Sequence, residues 1–126
     1  MTATRRTSLD GARGCLLGLA TGDAVGTTVE FCARGTFEPL TDLVGGGPFG
    51  LAPGEWTDDT SLALCLAQSL VECRGFDARN QAQRYLAWSD TGKPGPKDHC
   101  FDIGGTTRGA LERFRSSGDP MSGSTA

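Results

Sequence analysis

The sequence has no run of lysines and arginines, no C-x-x-C pair and no long uninterrupted apolar stretch, and each absence closes off a class of function. With 12 Lys and Arg against 15 Asp and Glu, a net charge of −3, it has no basic surface broad enough to displace counterions from a nucleic acid. An anionic ligand would have to be held locally. The cysteines number 5, an odd count that gives neither a disulfide framework nor a zinc knuckle and suits a reducing cytosol. Cys65 and Cys73 sit in one helical run, about 12 Å apart along the axis, too far for a disulfide. The lone histidine, His99, stands beside Cys100 without partners that would make a metal site or catalytic pair. The apolar run after MTATRRTSLD is broken by Arg13, Asp23 and several glycines, which excludes a signal peptide or membrane span and predicts a soluble, cytoplasmic protein. Strand alternation is missing as well, so the expected fold class is all-α.

What is present fits one modest domain. Its 126 residues, 37% hydrophobic and 21% charged, suit helices with buried faces, and a chain of this size buries about two-thirds of its unfolded surface. Four segments read as helical. The first is predicted to start at Ser8 as N-cap, with Leu9, Ala12, Leu16, Leu19 and Ala20 on one face. Gly11, Gly14, Gly18 and Gly22 form a second stripe. Each glycine costs about 1 kcal/mol in a helix interior, so the stripe predicts close approach by another helix. Residues 33–56 are dense in glycine and proline and read as a long loop. From Asp58 to about Cys73 a helix is predicted, with Leu62, Leu66, Ser69 and Leu70 on a buried face widened by Ala63, Leu64 and Ala67. A third helix runs from a cap at Asp77 to about Trp88, burying Ala78, Ala82, Tyr85 and Leu86. The last starts near Thr106 and stops at Gly118, with Ala110, Leu111 and Phe114 inward.

Three stretches could carry chemistry. Trp56-Thr57-Asp58-Asp59-Thr60 puts two carboxylates and two hydroxyls at a helix start. The structural explanation is capping and a favourable helix dipole; the functional one is a cation, because adjacent carboxylates repel and are costly to desolvate alone. Hard oxygen donors of this kind suit Mg²⁺ or Mn²⁺ better than zinc. In Gly22-Asp23-Ala24-Val25-Gly26, Asp23 ends a helix where the dipole disfavours a negative charge, so it calls for a cap, a cation or a hydrogen bond. Glu30, between Val29 and Phe31, is the candidate acid or base, with a solvent-facing loop glutamate as the competing reading. Asp102-Ile103-Gly104-Gly105-Thr106-Thr107 is a glycine-bearing turn entering a helix, where free N–H groups suit a phosphate and a carboxylate suits sugar hydroxyls.

Taken in order, GCLLGLATGDAVGTTVEF, GEWTDDTSLAL and FDIGGTTRGAL resemble the ADP-ribosylglycohydrolase family, which includes the dinitrogenase reductase activating glycohydrolases. The resemblance implies a helical hydrolase with a two-metal Mg²⁺ or Mn²⁺ centre that cleaves the glycosidic bond between ADP-ribose and an ADP-ribosylated protein or small conjugate. It implies Thr57, Asp58 and Asp59 as metal ligands, Glu30 and Asp102 as catalytic carboxylates, and Asp102, Gly104 and Gly105 as substrate contacts. Gly105 stands where many members have Asn. Family members also carry a later acidic motif of the type GDTDT, absent here, so residues 1–126 are expected to be the amino-terminal portion of a single domain. The competing expectation is a non-catalytic helical module that binds ADP-ribose weakly at most.

Overall fold

A computed structural model describes the backbone of residues 2–124 and the side chains of residues 8–124. Four α-helices run in the order α1 (Thr2–Gly26), α2 (Asp58–Glu72), α3 (Ala78–Thr91) and α4 (Gly105–Ser117), with a 3-10 turn at Thr27–Val29. The all-α expectation holds, and the described residues contain only an isolated β-bridge between Gly46 and Leu51. No helix among them is long and apolar enough to cross a membrane.

The start of α1 differs from the sequence reading. Ser8 lies inside the helix, which begins at Thr2 because the residues before Ser8 include no glycine or proline to stop it. Its apolar face is also uncovered: Leu9, Leu16, Leu17 and Leu19 are exposed, as is Ala12, and only Ala20 is half-buried. A Cβ placed on Gly11, Gly14, Gly18 or Gly22 would meet no described atom within 4 Å.

The chain divides into two compact units, one ending at Thr60 and the other beginning at Ser61. In the first, the end of α1 and the 3-10 turn are held by the glycine-rich loop. Gly46 and Leu51 exchange backbone hydrogen bonds of 2.7 and 2.9 Å, and Leu51 is buried. Gly47, at φ +65°, runs so close to the 3-10 turn that a Cβ would lie 2.5 Å from the Thr27 carbonyl oxygen. Phe49 and Phe31 meet edge to face, with centroids 6.4 Å apart. The long segment predicted as loop is thus irregular but packed.

In the second unit the helix ends follow the sequence signals. The Asp77 carboxylate caps α3 by accepting the Asn80 N–H at 2.9 Å, and left-handed Gly92 closes it through a 2.7 Å bond from its N–H to the Trp88 carbonyl. Gly118 ends α4 in the same manner, its N–H bonded to the Phe114 carbonyl at 2.8 Å. Leu111 and Phe114 of α4 are buried, as are Ala82 and Trp88 of α3, while Ala78, Tyr85, Leu86 and Ala110 are half-buried.

The buried face of α2 matches the predicted one at Ser69 but is otherwise rotated from it. Ser61, Cys65 and Ser69, four residues apart, are almost fully enclosed; Leu62, Ala63, Leu64, Leu66 and Ala67 are half-buried and Leu70 is exposed. Small side chains allow close packing, whereas the leucines flank the seam. Burial pushes the Cys65 thiol up from 9.0 to about 11, partly opposed by the positive charge of Arg84. Arg84 of α3 also pairs with Glu72 of α2 and donates to Gln68 at 3.2 Å.

Candidate functional site

The strongest polar constellation of the first unit is centred on Asp23, in the last turn of α1. Its Oδ1 accepts the Thr57 hydroxyl at 2.7 Å and the Thr57 N–H at 3.2 Å. Its Oδ2 accepts the Thr60 hydroxyl at 2.6 Å, the Thr60 N–H at 3.0 Å and a share of the Thr57 N–H at 3.1 Å. Hydrogen bonds to a charged group contribute roughly 1.5–3 kcal/mol, above the 0.5–1.5 kcal/mol of neutral ones, so this tie dominates the local energetics. The compensation that the sequence demands for Asp23 is hydrogen bonding. Asp23 caps α2 from another helix, and its negative charge sits at the positive end of the α2 dipole. No local signal reveals this pairing, because the partners are 34 and 37 residues apart.

Thr57 immediately precedes α2 and is buried, as is Thr60 one turn on. Between them, Asp58 is half-buried and Asp59 exposed. A hydroxyl has one proton, and that of Thr57 is given to Asp23; towards anything else its oxygen acts as an acceptor or ligand. This donor set, one hydroxyl oxygen and two carboxylates on consecutive residues, fits part of the coordination shell of a hard divalent cation. No group of three His, Cys, Asp or Glu side chains suited to a metal occurs among the described residues.

Glu30 follows the 3-10 turn, half-buried, with its N–H bonded to the Thr27 carbonyl at 3.3 Å. The short stretch 23–30 therefore carries both the anchor of Thr57 and the candidate acid or base. The next residue, Phe31, has a left-handed φ of +63°, which turns the chain sharply after Glu30. Thr27 and Thr28 each bury a side-chain oxygen that has no hydrogen-bond partner.

Asp102, Gly104 and Gly105 belong to the second unit. Asp102 is half-buried and holds φ +52°, a left-handed conformation that aspartate tolerates better than most residues and that recurs at functional turns. Gly104 is the N-cap of α4 and Gly105 its first residue, both exposed, and no side chain caps the helix at Gly104. Beside this turn, Ile103, Arg108, Glu112, Asp90 and Arg115 line a cavity of about 280 Å³. Arg115 is paired with Asp90. The turn motif alone does not single out Arg108, whose position one helical turn into α4 brings a cation to the same cavity.

The family profile described as ADP-ribosylglycohydrolase matches residues 3–126. The chain is 49% identical over 118 residues to the ADP-ribosylarginine hydrolase Tri1 of Serratia proteamaculans, a match covering 94% of this chain and 32% of that protein. It is 52% identical over 117 residues to the Tri1 of Pseudomonas putida, covering 93% of this chain and 31% of the relative. The ADP-ribosyl-[dinitrogen reductase] glycohydrolase of Rhodospirillum rubrum is 34% identical over 113 residues, 86% of this chain and 36% of that enzyme. The solved structure of an ADP-ribosylglycohydrolase-related protein complex superposes with a TM-score of 0.74 at 49% identity, over 88% of this chain and 35% of that one. The chain thus spans about a third of the length of the relatives it matches. With its three motifs in order on a helical fold, it belongs to the ADP-ribosylglycohydrolase family.

Proposed function

We propose that this chain forms the amino-terminal portion of a single ADP-ribosylglycohydrolase domain, whose activity is divalent-metal-dependent hydrolysis of the bond between ADP-ribose and a protein side chain. The observation that carries the reading is the start of α2, where Thr57 commits its proton to Asp23 beside the carboxylates of Asp58 and Asp59. Thr57, Asp58 and Asp59 would hold Mg²⁺ or Mn²⁺. Such a cation would polarise the ribose hydroxyls and lower the pKa of a water aimed at the anomeric carbon. Glu30 serves as acid or base for that water. Asp102 accepts hydrogen bonds from ribose hydroxyls, while the backbone at Gly104 and Gly105, at the positive end of α4, binds the diphosphate. The named relatives favour an ADP-ribosylarginine linkage. All five cysteines are free thiols, which supports a cytoplasmic setting.

A two-metal centre shares about a dozen coordination positions among protein, water and substrate, more than three neighbouring residues supply. The chain by itself should therefore bind metal weakly and turn over poorly or not at all. Addition of Mn²⁺ to the purified, isotopically labelled chain should broaden the amide resonances of residues 57–60 first. Release of ADP-ribose from ADP-ribosylarginine, measured in parallel, should be negligible. Absence of selective broadening there would remove the metal reading. Micromolar affinity with steady turnover would show that these residues suffice without further ligands. The second reading is a non-catalytic module, and metal-independent ADP-ribose binding would support it.

A further inference from the structure

We propose that Asp23 is a positioning residue for the metal centre: by taking the only hydroxyl proton of Thr57, it fixes that oxygen as an electron-pair donor towards a divalent cation. The inference rests on the reading of the α2 start as a metal site, and it concerns a residue to which the three motifs assign no catalytic part.

A threonine at this place ordinarily caps the helix it precedes. In front of a helix its oxygen accepts the N–H of the residue three positions on, which here would be Thr60. That N–H is instead taken by Asp23 Oδ2 at 3.0 Å, and the Thr57 hydroxyl donates to Oδ1 at 2.7 Å. Asp23 thus takes the N–H that a self-capping threonine would take. An ionised carboxylate only accepts, so the sense of the Thr57–Asp23 bond is fixed and the proton points to Asp23. Both threonines are buried, at 4% and 3% exposure, which leaves the hydroxyl rotor little freedom to reverse.

A carboxylate in the last turn of α1 opposes that helix's dipole. A plain cap for α2 needs only the side chain of Thr57 itself. Placing Asp23 there gains something that a self-capping threonine lacks: a hydroxyl whose proton is committed to an anion by a short bond, which raises the electron density on its oxygen.

Asp23→Asn tests this, because the amide keeps size and one acceptor but replaces one oxygen by a donor. With its NH₂ towards Thr57, the bond reverses and the hydroxyl proton turns outward. With its NH₂ towards Thr60, two donors confront it and the tie loosens. Mn²⁺ affinity, read from amide broadening at residues 57–60 in the full chain, should fall roughly 10–100-fold, the usual effect of losing a partner that orients a ligand. Thr60→Val removes a hydroxyl from the same carboxylate without touching Thr57; it should lower the melting temperature yet leave Mn²⁺ affinity within about twofold of wild type. Thr57→Ser should retain affinity and Thr57→Val should lose it to the extent seen for Asp23→Asn, with no further loss in the double variant. Folded Asp23→Asn with wild-type Mn²⁺ affinity would overturn the proposal while leaving the metal site standing. Wild-type protein with no broadening at residues 57–60 would overturn the metal reading and this inference with it. If Asp23→Asn does not fold, the wild-type hydroxyl proton decides: a slowly exchanging Thr57 resonance is expected, and one averaged with water refutes the fixed donor.

Discussion

Gly47 lies against the carbonyl oxygen of Thr27 at a distance that no side chain allows, 2.5 Å from where a Cβ would stand, and it does so at φ +65°. Both features resist substitution. A left-handed conformation costs a non-glycine residue about 1–2 kcal/mol, and displacement of the loop from the 3-10 turn adds to it. Gly47→Ala is expected to lower the urea midpoint by at least that equivalent, and an unchanged midpoint would show that the loop does not dock on Thr27.

The opposite sign is expected for the side chain of Thr27 itself. The Thr27 hydroxyl oxygen is buried without a hydrogen-bond partner, and a buried unsatisfied polar atom carries a penalty of about 1–3 kcal/mol. Thr27→Val keeps the shape and removes the penalty. A gain of about 1 kcal/mol in urea unfolding is expected; a loss would mean that the hydroxyl has a partner in solution.

Cys65 should be the slowest thiol. Its pKa, raised from 9.0 to about 11, keeps it protonated at pH 8, and it is buried where Cys15, Cys32 and Cys73 are exposed. A thiol-disulfide reagent should modify those three rapidly and Cys65 only on unfolding. Because the folded pKa lies above the unfolded one, this thiol's contribution to stability is complete below pH 9 and is lost as the pH rises from 9 to about 11. Thermal melts of wild type and Cys65→Ala across that range check the sign: the wild type should lose stability more steeply. Equal slopes would contradict the raised pKa.

At the candidate metal site the roles separate. Asp58→Asn and Asp59→Asn should each weaken Mn²⁺-induced broadening at residues 57–60 by about tenfold or more, since each removes a charged oxygen donor. Glu30→Gln should leave the broadening unchanged. In a complete relative the change matching Glu30→Gln should abolish most turnover. Loss of metal binding in Glu30→Gln would make Glu30 a ligand rather than an acid or base.

Much of the fold was legible in the sequence wherever the signal is local. Asp77 as a cap and Gly118 as a stop act on neighbouring backbone groups, so they fix the ends of α3 and α4. The periodicity of residues 62–70 identifies a helix but not the seam on which it packs; the structure encloses the small Ser61, Cys65 and Ser69 and leaves Leu70 at the surface. Ser8 misled because a good capping residue does not stop a helix that can propagate past it. For the site, Thr57, Asp58 and Asp59 are recognisable as a string, and Glu30 and Asp102 as carboxylates at turns. That Asp23 is the residue binding Thr57 and Thr60 is a tertiary fact, invisible to any window shorter than the intervening loop.

The length of that loop has a kinetic consequence. Joining Asp23 to Thr57 closes a segment whose ends are 34 residues apart, at an entropic cost of about 3 kcal/mol, whereas the neighbouring α3 and α4 are joined by the shorter segment 92–104. Contacts of low sequence separation form first, so the Asp23 tie belongs to the late side of the folding barrier. Asp23→Ala should then accelerate unfolding while hardly slowing refolding in a chevron experiment. A matching loss in the refolding rate would place the tie in the nucleus instead. With the tie late, the start of α2 exists as a helix end before it exists as an organised site, and its four donors await the arrival of a single distant carboxylate.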